Sequence, residues 1–387
     1  MRVERIEVNQ FRSYERARCE LGDGMTVFVG PNGAGKTNLL EALYVGCTGR
    51  PVRTRSEREV VRFGEDSARV TINTSGGATS HVVSVVLRRA ERKVIKVDGG
   101  QVDRIEAGEA RPFVCVFIPD RVSLLKGPPS LRRAHLDELA GALWPACGAD
   151  RREYARALAQ RNALLSALRA GRLSATSLPA WDHELATHGV RLRETRERVA
   201  RALEDPLARR GSELGLTGKL SVGYRPGSRA HDVESFLAEL GEHLERDRVR
   251  GFSTYGPHRD ELVLRLRGRA VRSYSSQGEQ RLALLALLFA ERDLLEQERG
   301  SLALMLLDDV FSELDESRRA RLVGELTEQG QSVITTADQR QLPGRESTRV
   351  KLLEIPDDVT VGRESGATVN ELRTGSRASL AACGSAA

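Results

Sequence analysis

The stretch Gly30-Pro31-Asn32-Gly33-Ala34-Gly35-Lys36-Thr37 decides how this chain is read. It has the spacing G-x-x-x-x-G-K-T. An apolar run, Met25 to Val29, leads into it, and a helix-like segment, Asn38 to Tyr44, follows. Strand, glycine-rich turn and helix in that order are the surroundings a phosphate-binding loop requires. Glycines let successive backbone N–H groups converge on one anion, and the helix N-terminus adds partial positive charge. In that arrangement Gly30 to Gly35 wrap a nucleoside triphosphate such as ATP. Lys36 reaches its terminal phosphates, and the Thr37 hydroxyl ligates Mg²⁺.

A second stretch fits the first. Leu302 to Leu307 is apolar and ends in Asp308-Asp309. A buried strand of this kind delivers Asp308 to the Mg²⁺ shell beside the phosphate loop. Asp309 then faces the attacking water as general base, with Lys36 as its partner in catalysis.

Composition bounds the rest. The 387 residues predict about two domains. No run of 18 apolar residues occurs, so no membrane span is expected. The N-terminus lacks the apolar core of a secretory signal. The five cysteines are dispersed with no C-x-x-C pair, which argues against a disulfide framework or a zinc site and for the cytoplasm. The net charge of +6 points to a polyanionic partner. Only six of sixty basic residues are lysine. Arginine suits bidentate phosphate contacts, but GC-rich codons produce the same bias. Aromatic content of 4% favours backbone contacts to duplex over base stacking.

The first third reads as strands and turns. Ala68 to Thr74, His81 to Arg88 and Lys93 to Val97 form a meander with turns at Ser75-Gly76-Gly77 and Asp98-Gly99-Gly100. Phe113 to Ile118 is a buried strand. From Pro119 the texture turns helical. Asp150 with Glu153 has the spacing of a capping box. Tyr154, Leu158, Leu165 and Leu168 mark one helix; Trp181, Leu185, Leu192 and Val199 mark a second, each of roughly 20–25 residues. A third is predicted over Asp232 to Arg248. Residues 119–251 hold 21 Arg and 2 Lys against 18 acids, nearly all of the chain's excess charge. Strands resume at Glu261 and alternate with helices, which predicts a sheet covered by helices. The expected organisation is an α/β head from 1–118 and 252–356, a helical arm from 119–251, and an extension from 357–387 whose end is disordered.

Ser276, Gly278 and Gln280 complete the pattern. With Ser275 and Gln277 before a buried helix, they resemble the S-x-G-x-Q signature of the ABC-type ATPase family. In its place between the phosphate loop and the double-aspartate strand, this resemblance implies a mixed-sheet ABC head. It also implies that Ser276, Gly278 and Gln280 bind the γ-phosphate of ATP held by a partner subunit. Ser312-Glu313-Leu314-Asp315 resembles the loop that crosses the dimer interface. Asn9-Gln10-Phe11-Arg12-Ser13-Tyr14 resembles the N-terminal segment of the SMC and DNA-repair branch. There a basic residue meets nucleotide, so Arg12 is either that contact or a surface arginine.

The match narrows to the RecF family. It rests on Phe117-Ile118-Pro119-Asp120, on Leu125-Lys126-Gly127-Pro128-Pro129 with Arg132-Arg133, and on Gly256-Pro257-His258-Arg259-Asp260. Leu307 to Asp315 matches as well. The resemblance implies an ATP-induced homodimer that clamps duplex DNA near gaps or single-strand/double-strand junctions. It also implies RecR as partner, RecA loading, and support of replication restart and SOS induction. Lys126, Arg132 and Arg133 either contact DNA or solvate the first arm helix. His258 reads as a turn residue fixing the arm junction. Most ABC ATPases carry Glu where Asp309 stands, and Thr335 and Thr336 occupy the switch-histidine region. Weak, DNA-dependent hydrolysis of ATP to ADP and phosphate is expected. An SMC-like chromosome ATPase would need a longer arm. A transporter ATPase subunit would carry a switch-loop Gln.

Overall fold

Residues 2–11 alternate buried and exposed side chains and form a strand whose neighbours complete a sheet. The computed structural model describes residues 1–54, 56–105, 107–171, 178–312 and 314–356, with two short strands beyond. Apart from those strands, the expected C-terminal extension lies outside the described residues, as does Glu313.

In chain order the first elements are β1 (Arg2–Phe11), β2 (Tyr14–Glu20), β3 (Met25–Val29), α1 (Lys36–Thr48) and β4 (Ser67–Gly76). Next come β5 (Thr79–Arg88), β6 (Val94–Val97), β7 (Gly100–Val102) and β8 (Val114–Phe117). The helical block holds α2 (Ser123–Lys126), α3 (Pro129–Leu143), α4 (Gly148–Arg169) and α5 (Leu178–Glu213). It continues with β9 (Leu220–Arg225), α6 (Val233–Glu242) and α7 (Leu244–Arg250). Then follow β10 (Glu261–Leu266), β11 (Arg269–Ala270), α8 (Val271–Tyr274), α9 (Gln277–Arg299) and β12 (Leu304–Leu307). The chain closes with α10 (Glu316–Glu328), β13 (Ser332–Thr336), β14 (Val350–Glu354), β15 (Ala367–Thr368) and β16 (Asn370–Glu371).

Two compact units result. One takes residues 2–104, 307–312 and 323 onward. Its larger sheet runs β15-β2-β1-β4-β5-β6-β7; the predicted meander is its β4 to β6 portion, and β7 starts at Gly100, which the sequence placed in a turn. In the same unit β3 lies between β13 and β14, parallel to both. Every residue of β3 is buried, as its unbroken apolar sequence requires of a central parallel strand.

The other unit takes residues 105–306 and 313–322 with Met1. The boundaries expected at 118/119 and 251/252 both fall inside it. The physical reason is α9: residues Leu282 to Ala290 are at most 1% exposed, and α5 and α3 pack against this helix. The arm hairpin of α4 and α5 closes on Tyr154, Leu185, Ala186, Val190, Phe236 and Leu240.

Three local expectations change. The second arm helix spans 36 residues and runs through Pro206. The third divides at His243 into α6 and α7, with Asp232 and Ser235 forming a capping box on α6. Asp150 caps nothing; it lies in the first turn of α4 and pairs with His188 at 2.8 Å.

Candidate functional site

Backbone geometry first explains the glycines of the phosphate loop. A Cβ on Gly30 would stand 2.5 Å from the Ile355 carbonyl oxygen, because Ile355 N–H bonds the Val29 carbonyl beside it. Gly35 has φ +97° and caps α1, and a Cβ there would stand 2.8 Å from the Tyr14 hydroxyl. Both positions exclude a side chain by close approach. Pro31, Asn32 and Gly33 are exposed and Ala34 is buried.

Lys36 is buried, and its Nζ donates to the Gly30 and Pro31 carbonyls, each at 2.7 Å. The ammonium thus folds across the rim of the loop. The Thr37 hydroxyl bonds the Asp308 carboxylate at 2.8 and 2.9 Å. Thr335 Oγ1 donates to Asp308 Oδ1 at 2.7 Å and accepts from the Asp309 N–H at 2.9 Å. Thr335 therefore fixes the Asp308 carboxylate and the Asp309 backbone at the end of β12, a role the sequence reading did not assign. A hydroxyl residue closing the neighbouring strand β13 was the available signal.

Burial raises the Asp308 carboxyl above its usual range. The hydrogen bonds from Thr335 and Thr37 oppose this, and the adjacent Asp309 adds to it. A hydroxyl and a buried carboxylate are hard oxygen donors that suit Mg²⁺, which takes few protein ligands beside phosphate oxygens and water. The residues therefore fit the ion, and Thr37 and Asp308 would be its protein ligands. Asp309 is exposed at φ +48°, a left-handed conformation that Asp tolerates better than most residues.

Arg12 lies beside the loop at φ +53°. Its guanidinium holds Glu41 at 2.9 and 3.3 Å and the Glu59 carbonyl at 2.9 Å. Glu41 is fully buried on α1, an unmarked charge in an apolar helix that exists to seat Arg12.

In the other unit, Ser276 caps α9. Its hydroxyl accepts from the Glu279 N–H at 3.2 Å, and Glu279 returns a bond to the Ser276 N–H at 2.9 Å. This is a capping box. Ser276 is exposed and Gly278 half-buried, so the helix N-terminus is open to an anion. Gln280 departs from the expectation of a phosphate contact. It is 4% exposed, and its amide donates to the Ser275 carbonyl at 2.9 Å, inside the fold.

The three arm candidates separate. Lys126 is exposed, and Arg133 is half-buried with one bond to the Asp260 carbonyl. The DNA contact expected of Arg132 is corrected. Its side chain is 4% exposed, it grips both Glu261 oxygens at 2.6 and 2.9 Å, and it binds the carbonyls of Leu124, Leu125 and Gly127.

His258 takes the structural role. Its Nε2–H donates to the Ser253 carbonyl at 3.0 Å, so Nδ1 accepts from the Tyr154 hydroxyl at 2.8 Å. That neutral tautomer agrees with a pKa pushed down to about 4, chiefly by burial.

Known proteins resemble this chain in sequence and fold. The family profile of the RecF/RecN/SMC N-terminal domain matches residues 2–354. A DNA replication and repair protein RecF of Myxococcus xanthus is 38% identical over 350 residues, covering 87% of this chain and 91% of that protein. A RecF of Gloeobacter violaceus is 36% identical over 344 residues, covering 86% and 90%. A solved structure of the recombination mediator RecF with ATP superposes with a TM-score of 0.81 at 28% identity, covering 96% of this chain and 99% of that one. An SMC head from Pyrococcus furiosus has a TM-score of 0.53 at 17% identity and shares the fold. A mixed-sheet ATPase head with flanking helices, a matched domain across nearly all described residues and this level of identity place the chain in the RecF branch of the RecF/RecN/SMC family.

Proposed function

We propose that this protein is an ATP-dependent DNA-binding switch of recombinational DNA repair in the cytoplasm. The observation that carries the reading is the Thr37–Asp308 contact beneath the phosphate loop, with Lys36 folded onto two loop carbonyls. With ATP bound, the Lys36 ammonium would hold phosphate oxygens in place of those carbonyls, and Thr37 and Asp308 would hold Mg²⁺. When bound, the ion neutralises charge on the phosphates. Asp309 takes a proton from the attacking water. Its side chain is one methylene shorter than Glu, and hydrolysis is correspondingly weak.

Ser276 and the α9 N-terminus of a second copy complete the site, so ATP drives homodimerisation. The dimer clamps duplex DNA near gaps or single-strand/double-strand junctions, and DNA stimulates hydrolysis. Partnership with RecR, loading of RecA, and support of replication restart and SOS induction belong to this reading, which the resemblance to RecF supports. Lys126 and Arg133 remain contact candidates. Exposed Arg169, Arg246, Arg248 and Arg250 at the ends of α4 and α7 add a polyanion-binding surface where Glu245 is the exposed acid on α7.

Analytical ultracentrifugation with ATP and gapped duplex tests this on wild type, Lys36→Arg and Ser276→Arg. Wild type is expected to dimerise and both variants to stay monomeric. A wild type that stays monomeric sinks the shared site. A Ser276→Arg variant that dimerises like wild type removes Ser276 from it.

A further inference from the structure

The N-terminus of α9 is open to solvent, yet one of its donors is already taken by an acid. Glu279 Oε2 accepts from the Ser276 N–H at 2.9 Å, a donor that a phosphate oxygen would use. Glu279 Oε1 accepts from Arg267 Nη2 at 2.6 Å. One carboxylate is thus shared between a helix end and a cation. Both side chains reach water, Arg267 at 49% exposure and Glu279 at 22%. The Ser276 N–H holds the Glu279 carboxyl below its usual range; partial burial opposes this, and Arg267 adds to it. The carboxylate therefore stays charged at neutral pH.

Ser276 itself is turned toward a ligand. Its Oγ accepts from the Glu279 N–H at 3.2 Å. A hydroxyl oxygen that accepts keeps its own proton to donate. The Ser276 O–H is free for a phosphate oxygen, while the N–H beside it is blocked.

Arg267 is braced from behind. It lies at φ +54° in the turn between β10 and β11. Its N–H bonds the Lys219 carbonyl at 3.1 Å, and Nη1 bonds the Thr217 carbonyl at 3.3 Å. Gly218 sits between them at φ +89°, where a Cβ would stand 2.5 Å from Arg267 Cγ. A glycine there lets the loop ahead of β9 close on the arginine stem.

We propose that Glu279 is an acidic gate on the Ser276 anion site, and that Arg267 is the positioning residue that draws the gate aside. The inference rests on the shared-site reading above. The γ-phosphate of ATP on a second copy repels the Glu279 carboxylate. Swung wholly onto Arg267, the carboxylate is neutralised and the Ser276 N–H is released. Ser276 then offers both its N–H and its O–H to the phosphate. The cation that receives the gate is anchored to the loop ahead of β9.

Analytical ultracentrifugation with ATP and Mg²⁺ tests this on wild type, Glu279→Gln, Arg267→Ala and Arg267→Lys. Gln keeps an oxygen for the Ser276 N–H but carries no charge. Glu279→Gln is expected to tighten the ATP-dependent dimer about threefold and Arg267→Ala to weaken it about fivefold, within the range of a part-exposed ion pair. Arg267→Lys is expected to restore it. A pair that merely stabilises α9 would weaken the dimer in both Glu279→Gln and Arg267→Ala, and that result overturns the gate. A Glu279→Gln variant that dimerises no better than wild type overturns it too. An Arg267→Ala variant that dimerises as wild type does removes Arg267 from the role. A wild type that stays monomeric defeats the shared-site reading itself, and the gate with it.

Discussion

At the residue scale, His258 shows how a polar group is made structural. Its ring bridges Tyr154 on α4 and the Ser253 carbonyl, and acceptance by Nδ1 from the Tyr154 hydroxyl needs the neutral form. Burial lowers its pKa from 6.5 to about 4. Above pH 6.5 the folded and unfolded chains both carry neutral imidazole, and no penalty arises. Between pH 6.5 and 4 the unfolded chain binds the proton first, so stability falls as pH falls, by at most about 3 kcal/mol. Below pH 4 the loss levels off. Urea melts at stepped pH are expected to show this decline in wild type and a flatter one in His258→Asn. An equal slope in both would show that His258 does not set it.

At the element scale, the junction of arm and β10 depends on a buried charge network. Arg196 of α5 holds Asp137 of α3 at 2.7 and 3.0 Å, Asp260 at 2.7 Å, and the Pro257 carbonyl. Asp260 also accepts from the Tyr224 hydroxyl and the Gly227 N–H. Attraction between buried charges roughly offsets their desolvation, so such a network adds little net stability. Removing one member, however, leaves an uncompensated charge. Asp260→Ala is expected to cost about 3–5 kcal/mol in denaturant melts. A loss below 1 kcal/mol would mean that solvent reaches Arg196.

At the scale of the whole molecule, the arm's excess charge counts only where it is exposed. Arg132, Arg161, Arg193, Arg196 and Arg210 are each at most 7% exposed and belong to the interior. Exposed Arg246 and Arg250 are one helical turn apart on α7. The double variant Arg246→Ala/Arg250→Ala is expected to bind gapped duplex more weakly. Its plot of log affinity against log salt should be shallower by about 2, close to one per lost phosphate contact. An unchanged slope would remove α7 from the DNA surface. Among the described residues, no helix is long and apolar enough to cross a membrane.

The sequence by itself determined the phosphate loop, the carboxylates after β12, the signature cap of α9 and the meander. Each is written in local spacing: glycines at forced turns, an apolar run before acids, a serine three residues before Glu279. Tertiary structure alone decided which charges are available. Nothing local separates Arg132 from Arg133, yet one is sealed around Glu261 and the other half-open. Gln280 is buried, with its amide returned to the Ser275 carbonyl, which the signature spacing alone does not reveal. Thr335 meets Asp308 across 27 residues of sequence, and Arg12 meets Glu41 across 29. Burial and long-range contact set these features, because desolvation depends on what the rest of the chain covers.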